Sequence, residues 1–137
     1  MAEYAKPLPQ RLPDTSAFWE AAERHEIALQ TCADCATVRH PPGPLCPSCH
    51  SWQFRWQVFP GEGTVVSWTV VHHVVYPAFA ADAPYVVARV ALDDCPSVLL
   101  TTNLIAIDPG RIELGMPVTA HFEDVTTEVT LIKFRPR

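Results

Sequence analysis

Hydrophobic and polar positions divide this 137-residue chain into four stretches. Up to Asp14 it is polar and broken by Pro7, Pro9 and Pro13, which predicts an extended arm. Phe18, Ala22 and Leu29 then mark one apolar stripe, with Glu20, Glu23, Arg24 and Glu26 elsewhere. That pattern predicts a short amphipathic helix, capped by Thr15 or Ser16 and ending near Glu26. Leu29 to Trp56 has no helical period; it holds four cysteines, the turn-rich run Pro41-Pro42-Gly43-Pro44, and an alternation of Trp52, Phe54 and Trp56 with Gln53 and Arg55. Such an aromatic strand can cover a turn-rich module on one face.

From Val58 the pattern is β. Strands are expected over Thr64–Tyr76, Tyr85–Leu92, Val98–Leu104, Val118–Phe122 and Glu128–Phe134. Gly61-Glu62-Gly63, Asp93-Asp94, the break at Asp108-Pro109-Gly110, and Gly115-Met116-Pro117 punctuate them. Five short strands interrupted between the third and fourth match the OB-fold order, a small Greek-key barrel; a lipocalin-type barrel needs more. The fold class is mainly β: an N-terminal arm and helix (1–28), a cysteine-bearing ribbon (29–57) and an OB-fold barrel (58–137).

Charge narrows the function classes. The formal charge is −5, and Lys6 and Lys133 are the two lysines. Nucleic-acid binding draws on clustered cations, whereas Arg39 and Arg55 are well separated along the ribbon, so nucleic acid is not expected as a partner. A single-stranded nucleic-acid module is the competing binding reading, because Trp52, Phe54 and Trp56 could stack on bases. No apolar run is long enough to span a bilayer, and MAEYAKPLPQ lacks a signal-peptide core, so a cytoplasmic protein without a membrane partner is expected.

Cys32-Ala33-Asp34-Cys35 and Cys46-Pro47-Ser48-Cys49, ten residues apart, carry the strongest chemical signal. Two residues between cysteines let both thiolates face one ion, and two such knuckles complete a tetrahedral site. Cys32, Cys35, Cys46 and Cys49 are therefore expected to hold one structural zinc ion. A four-sulfur shell leaves no open position for catalysis, so its binding energy goes into folding. A rubredoxin-type iron centre and a pair of disulfides use the same residues. Cys46-Pro47-Ser48-Cys49-His50 also matches the haem-attachment pattern, though that leaves Cys32 and Cys35 unexplained.

The remaining candidates are weaker. Cys95, in Asp93-Asp94-Cys95-Pro96, reads as an inert thiol rather than a nucleophile because neighbouring carboxylates disfavour a thiolate. His72 and His73 are adjacent in an expected strand, so they should face opposite sides and share no site. His40 and His50 are expected beside the metal or in solvent. The loop from Tyr76 to Tyr85 is rich in aromatics and alanine, which suggests either a docking surface or a flap over the barrel end. No Gly-rich phosphate loop, nucleophile elbow or carboxylate pair is evident.

Taken in order, Phe18-Trp19, Leu29-Gln30-Thr31-Cys32-Ala33-Asp34-Cys35, Pro41-Pro42, Cys46-Pro47-Ser48-Cys49 and Gly61-Glu62-Gly63-Thr64-Val65 resemble a known family. Ala83-Pro84-Tyr85-Val86-Val87-Ala88, Thr102-Asn103-Leu104, Gly115-Met116-Pro117-Val118 and Phe122-Glu123-Asp124-Val125 continue the likeness. The family is the zinc-ribbon/OB-fold accessory proteins long catalogued as domain of unknown function thirty-five. His25-Glu26 and Ala36 depart from it where many relatives have glycine. The resemblance implies a non-catalytic subunit, in a hetero-oligomer, of a thiolase-superfamily enzyme such as a thiolase or retro-aldolase; some relatives accompany acyl-CoA hydratases. It also implies bridging of subunits and a share in the channel that admits acyl-CoA. Tyr76, Phe79, Tyr85, Trp52 and Phe54 are then the expected contacts to the partner or to CoA.

Overall fold

The computed structural model describes residues 3–137; Met1 and Ala2, at the start of the expected arm, lie outside them. The helix, α1, spans Ser16–Glu23 and buries Ala21 and Ala22. Neither Thr15 nor Ser16 caps it. Their hydroxyls close the preceding turn instead: Leu12 N–H donates to Thr15 Oγ1 (3.0 Å) and Ser16 Oγ donates to the Leu12 carbonyl (3.1 Å).

The helix stops three residues before the expected Glu26. His25 takes a left-handed conformation (φ 60°), with His25 N–H bonded to the Ala22 carbonyl and Glu26 N–H to that of Ala21. That is a Schellman turn, whose left-handed position favours glycine. The imidazole of His25 stacks on Phe122 (5.1 Å, 5° between planes) and reaches Asp124 Oδ1 at 3.0 Å, tying the helix end to the barrel.

β1 (Ile27–Cys32), β2 (Val38–Arg39) and β3 (Phe54–Phe59) form an antiparallel sheet in the order β2-β1-β3. The β pattern of β1 was hidden because all six of its residues are buried. Ile27, Leu29 and Phe59 join the barrel's core, so the sheet is packed onto the barrel rather than tethered beside it.

The barrel comprises β4 (Glu62–Val71), β5 (Tyr85–Leu92), β6 (Cys95–Leu104), β7 (Pro117–Asp124) and β8 (Thr130–Pro136). It closes in the order β4-β5-β6-β8-β7, the OB-fold arrangement expected from the five strands. β4 can pass close to β5 because residue 63 is glycine: a Cβ there would lie 2.7 Å from the Ala91 carbonyl oxygen. Val65, Val90, Leu92, Leu100, Val118 and Phe134 fill the interior. The parallel ladder between β6 and β8 is a single pair, Leu104 with Phe134. Beside that seam the Thr102 hydroxyl donates to the Ile132 carbonyl (2.9 Å).

Two expectations in this region are corrected. β4 ends at Val71, where its ladder with β5 runs out at Tyr85, because Pro84 has no N–H to extend the pairing. His72 and His73 therefore lie beyond the strand, and both are exposed. Cys95 is the first residue of β6, 8% exposed and packed in the core, rather than part of an open turn.

Candidate metal centre

β1 delivers Cys32 to the first knuckle, and the second lies shortly before β3. The two knuckles have the same internal geometry. Ala36 N–H bonds to the Cys32 carbonyl and His50 N–H to the Cys46 carbonyl, each at 3.0 Å. Cys32 N–H in turn bonds to the Thr37 carbonyl (2.8 Å) and Cys46 N–H to that of Ser51 (2.9 Å). Ala36 (φ 63°) and His50 (φ 62°) occupy the left-handed position that closes each turn. Ser51 Oγ donates to Asp34, linking one knuckle to the other.

The four Sγ atoms lie within 4.8 Å of one another. Cys32 to Cys49 and Cys35 to Cys46 are each 3.6 Å apart. Sulfurs about 2.3 Å from a tetrahedral ion are separated by about 3.8 Å, so the donor set fits a metal. All the cysteines are free, and these separations are far longer than a disulfide bond of about 2.05 Å. Cys32 and Cys46 are fully buried, whereas Cys35 and Cys49 are exposed.

Electrostatics point the same way. The backbone N–H groups of Cys35 and Asp34 hold the Cys32 thiol below its ordinary range. Those of Cys49 and Ser48 pull Cys46 down to about 6. At Cys49 the Ser51 N–H also pulls down, but Cys35, burial, Cys32 and Cys46 together push it up to about 12. Four thiolates cannot ionise side by side unaided, and a dication removes the conflict.

Neither nearby histidine joins the sulfurs. His50 is exposed at its turn. His40 packs on Phe18 (ring centroids 5.0 Å apart), and burial lowers its pKa.

The predicted contact residues fall into two groups. On the ribbon, Trp52 precedes β3 and is 66% exposed, while Phe54, 42% exposed, meets Trp56 edge-on at 6.4 Å. Beneath Phe54 lies Arg39, its guanidinium 5.8 Å from the ring and donating from Nη2 to the Gly43 carbonyl. Sequence reasoning placed no role on Arg39 or on Gln30, whose Oε1 accepts from Gly43 N–H (2.8 Å); together they fix the Pro41–Pro44 loop. At the barrel end, Tyr76, Phe79 and Tyr85 cluster around the 3-10 turn Pro77–Asp82. Lys6 pairs with Asp82 and sits 5.6 Å from the Phe79 ring. The arm thus clips the loop down, yet Tyr76 remains 53% exposed. A cavity of about 420 Å³ lies between arm, loop and barrel. Among the described residues no helix is long and apolar enough to cross a membrane.

Fold and cysteine cluster together define a rubredoxin-like ribbon joined to an OB-fold barrel. Comparison with known proteins gives the family. Residues 19–55 match the ChsH2 rubredoxin-like zinc ribbon domain, and residues 56–123 the ChsH2 C-terminal OB-fold domain. A DUF35 domain-containing scaffold protein of Methanocaldococcus jannaschii is 31% identical over 104 residues, 75% of this chain and 72% of that protein. The chain belongs to this ChsH2/DUF35 zinc-ribbon and OB-fold family.

In a solved structure described as the Ltp2-ChsH2(DUF35) aldolase, one chain is 43% identical, with a TM-score of 0.85. The match covers 93% of this chain and 98% of that one. A probable enoyl-CoA hydratase alpha subunit of Thermomonospora curvata is 43% identical over 131 residues, 96% of this chain but 40% of that protein. The chain thus spans about two fifths of the length of that relative.

Proposed function

We propose that this chain is a non-catalytic accessory subunit, with one zinc ion held by Cys32, Cys35, Cys46 and Cys49, of a cytoplasmic enzyme complex that processes acyl-CoA. Its partner is a thiolase-superfamily enzyme of thiolase or retro-aldolase type. The observation that carries this reading is the nearly end-to-end correspondence with one chain of the structure described as the Ltp2-ChsH2(DUF35) aldolase. The division of labour in the molecule supports it. A closed four-sulfur shell offers shape rather than a reactive position. The one thiol outside that shell, Cys95, is buried in the core.

In this role the arm and helix, the ribbon and the barrel act as one platform. Trp52 and Phe54 on the ribbon, and Tyr76, Phe79 and Tyr85 at the barrel end, meet the partner or line the acyl-CoA path. Trp52, Phe54 and Tyr76 are exposed and Phe79 and Tyr85 half-buried, and aromatic residues are enriched at protein interfaces. A hydratase as the partner is the second reading, favoured by the Thermomonospora curvata relative.

The direct test is co-expression with a thiolase-superfamily protein of the same organism. A stable heteromer whose acyl-CoA activity falls at least tenfold when this chain is withheld, and returns on adding it back, is the expected result. A partner that is soluble and fully active alone sinks the proposal. Elemental analysis should find one zinc per chain, and visible absorbance would report iron instead.

A further inference from the structure

The helix, the ribbon's proline loop and the β6–β8 seam enclose a second cavity, of about 340 Å³. Phe18 and Trp19 of α1, His40 and Pro41 of the loop, and Thr101 and Ile132 of the barrel are among its walls. No motif announces it, because these residues come from four separate parts of the chain. It lies beside the β6–β8 seam, where the helix and the proline loop pack over residues 100–103 and 131–134.

The chemistry of the walls selects a ligand class. The lining is mainly apolar, and its one cation, Lys133, is already paired with Glu123. Asn103 Nδ2 donates one N–H to the Val86 carbonyl (3.0 Å), and the Thr102 hydroxyl donates to the Ile132 carbonyl (2.9 Å). An anion therefore finds no free positive charge. His40 is different. It packs on Phe18, and burial lowers its pKa, which favours the neutral imidazole. A neutral imidazole offers one donor and one acceptor, the complement of a hydroxyl group. The volume lies at the lower end of the range of about 300–1,000 Å³ usual for small-ligand sites. That size suits one or two rings rather than an extended chain.

We infer that this cavity is a binding site for a small, neutral ring compound bearing a hydroxyl group, which stacks against Phe18 and Trp19 and hydrogen-bonds to His40. The site stands apart from the metal centre and does not rest on the proposed partner, so the isolated zinc-loaded chain tests it.

Calorimetric titration with 2-naphthol at neutral pH should give saturable one-to-one binding, and 2-naphthoate should bind at least tenfold more weakly. His40→Phe keeps the ring packed against Phe18 but removes the polar atoms, and should weaken 2-naphthol about tenfold, the worth of one hydrogen bond. Thr101 is exposed, so Thr101→Phe should fill the cavity and abolish binding while leaving thermal unfolding unchanged. Intermolecular NMR contacts from 2-naphthol to Phe18 and Ile132 locate the ligand without any substitution. The inference is overturned by an absence of saturable binding up to the solubility of 2-naphthol, by contacts elsewhere, or by 2-naphthoate binding equally well.

Discussion

Ribbon and barrel solve the problem of holding a shape in opposite ways. Between Ala33 and Gln53 only Arg39 and Cys46 are buried. Those knuckles have almost no apolar core, and a segment that small cannot offset its own ordering entropy. The barrel instead buries Val65, Val90, Leu92, Val98, Leu100, Val118 and Phe134 around a closed sheet. One half depends on four sulfurs, the other on packing. The central strand of the ribbon sheet belongs to both, since Ile27 and Leu29 reach into the barrel's core while Cys32 ends the same strand at the metal centre. A molecule built this way has a stiff base and a ribbon whose order depends on its four-cysteine centre.

The largest effect expected from this contrast comes from Cys46→Ser. Apparent zinc-binding energies of about 10–16 kcal/mol in zinc-finger peptides are folding energy, and nothing else in the knuckles can replace it. The metal content should fall from one ion per chain to near zero. Amide exchange should become fast from Ala33 to Gln53 while Val86–Leu104 stays protected. Hydrogen exchange read by mass spectrometry checks this, and full protection of the ribbon in the variant would break the comparison.

Leu92→Ala attacks the other half. The side chain is fully buried, and truncation at such a site costs about 2–5 kcal/mol. Denaturant unfolding should show that loss, while elemental analysis still finds the ion. If metal is released along with the barrel's stability, then the shared strand β1 couples the two regions into one cooperative unit.

What could be read in advance follows the same division. The cysteine spacing carries nearly all the information in the ribbon, because a tetrahedral ion allows few arrangements of two knuckles. Glycine signals at Gly61-Glu62-Gly63 and Gly115-Met116-Pro117, with alternating strands between, were enough for a five-stranded barrel. Reading failed where tertiary packing overrides local pattern. β1 is buried on both faces and shows no polar alternation. The end of β4 is set by Pro84 on its neighbour rather than by the β-branched residues up to Val75. Thr15 looks like a helix cap, yet the preceding turn claims its hydroxyl. The cavity beside His40 was illegible for a different reason: it exists only once residues 18, 40, 101 and 132 are brought together.

The smallest expected effect sharpens the comparison most finely. Of the non-glycine residues with positive φ, Ala36 and His50 close the knuckles, and Ala106 lies in the barrel after β6. A left-handed conformation costs an L-residue about 1–2 kcal/mol, and glycine returns part of that through its greater freedom when unfolded. Ala36→Gly should therefore stabilise the metal-bound ribbon by about 0.5–1 kcal/mol, and Ala106→Gly the barrel by a similar amount. A cavity term is absent from both, because only a methyl on an exposed turn is removed. If the regions unfold separately, Ala36→Gly should slow loss of the ion to a chelator and leave the barrel's unfolding midpoint unchanged. Ala106→Gly should do the reverse. Equal effects of both substitutions on both readouts would mean that the ion stabilises the whole molecule through β1, and the ribbon would then be a second core rather than an appended clasp.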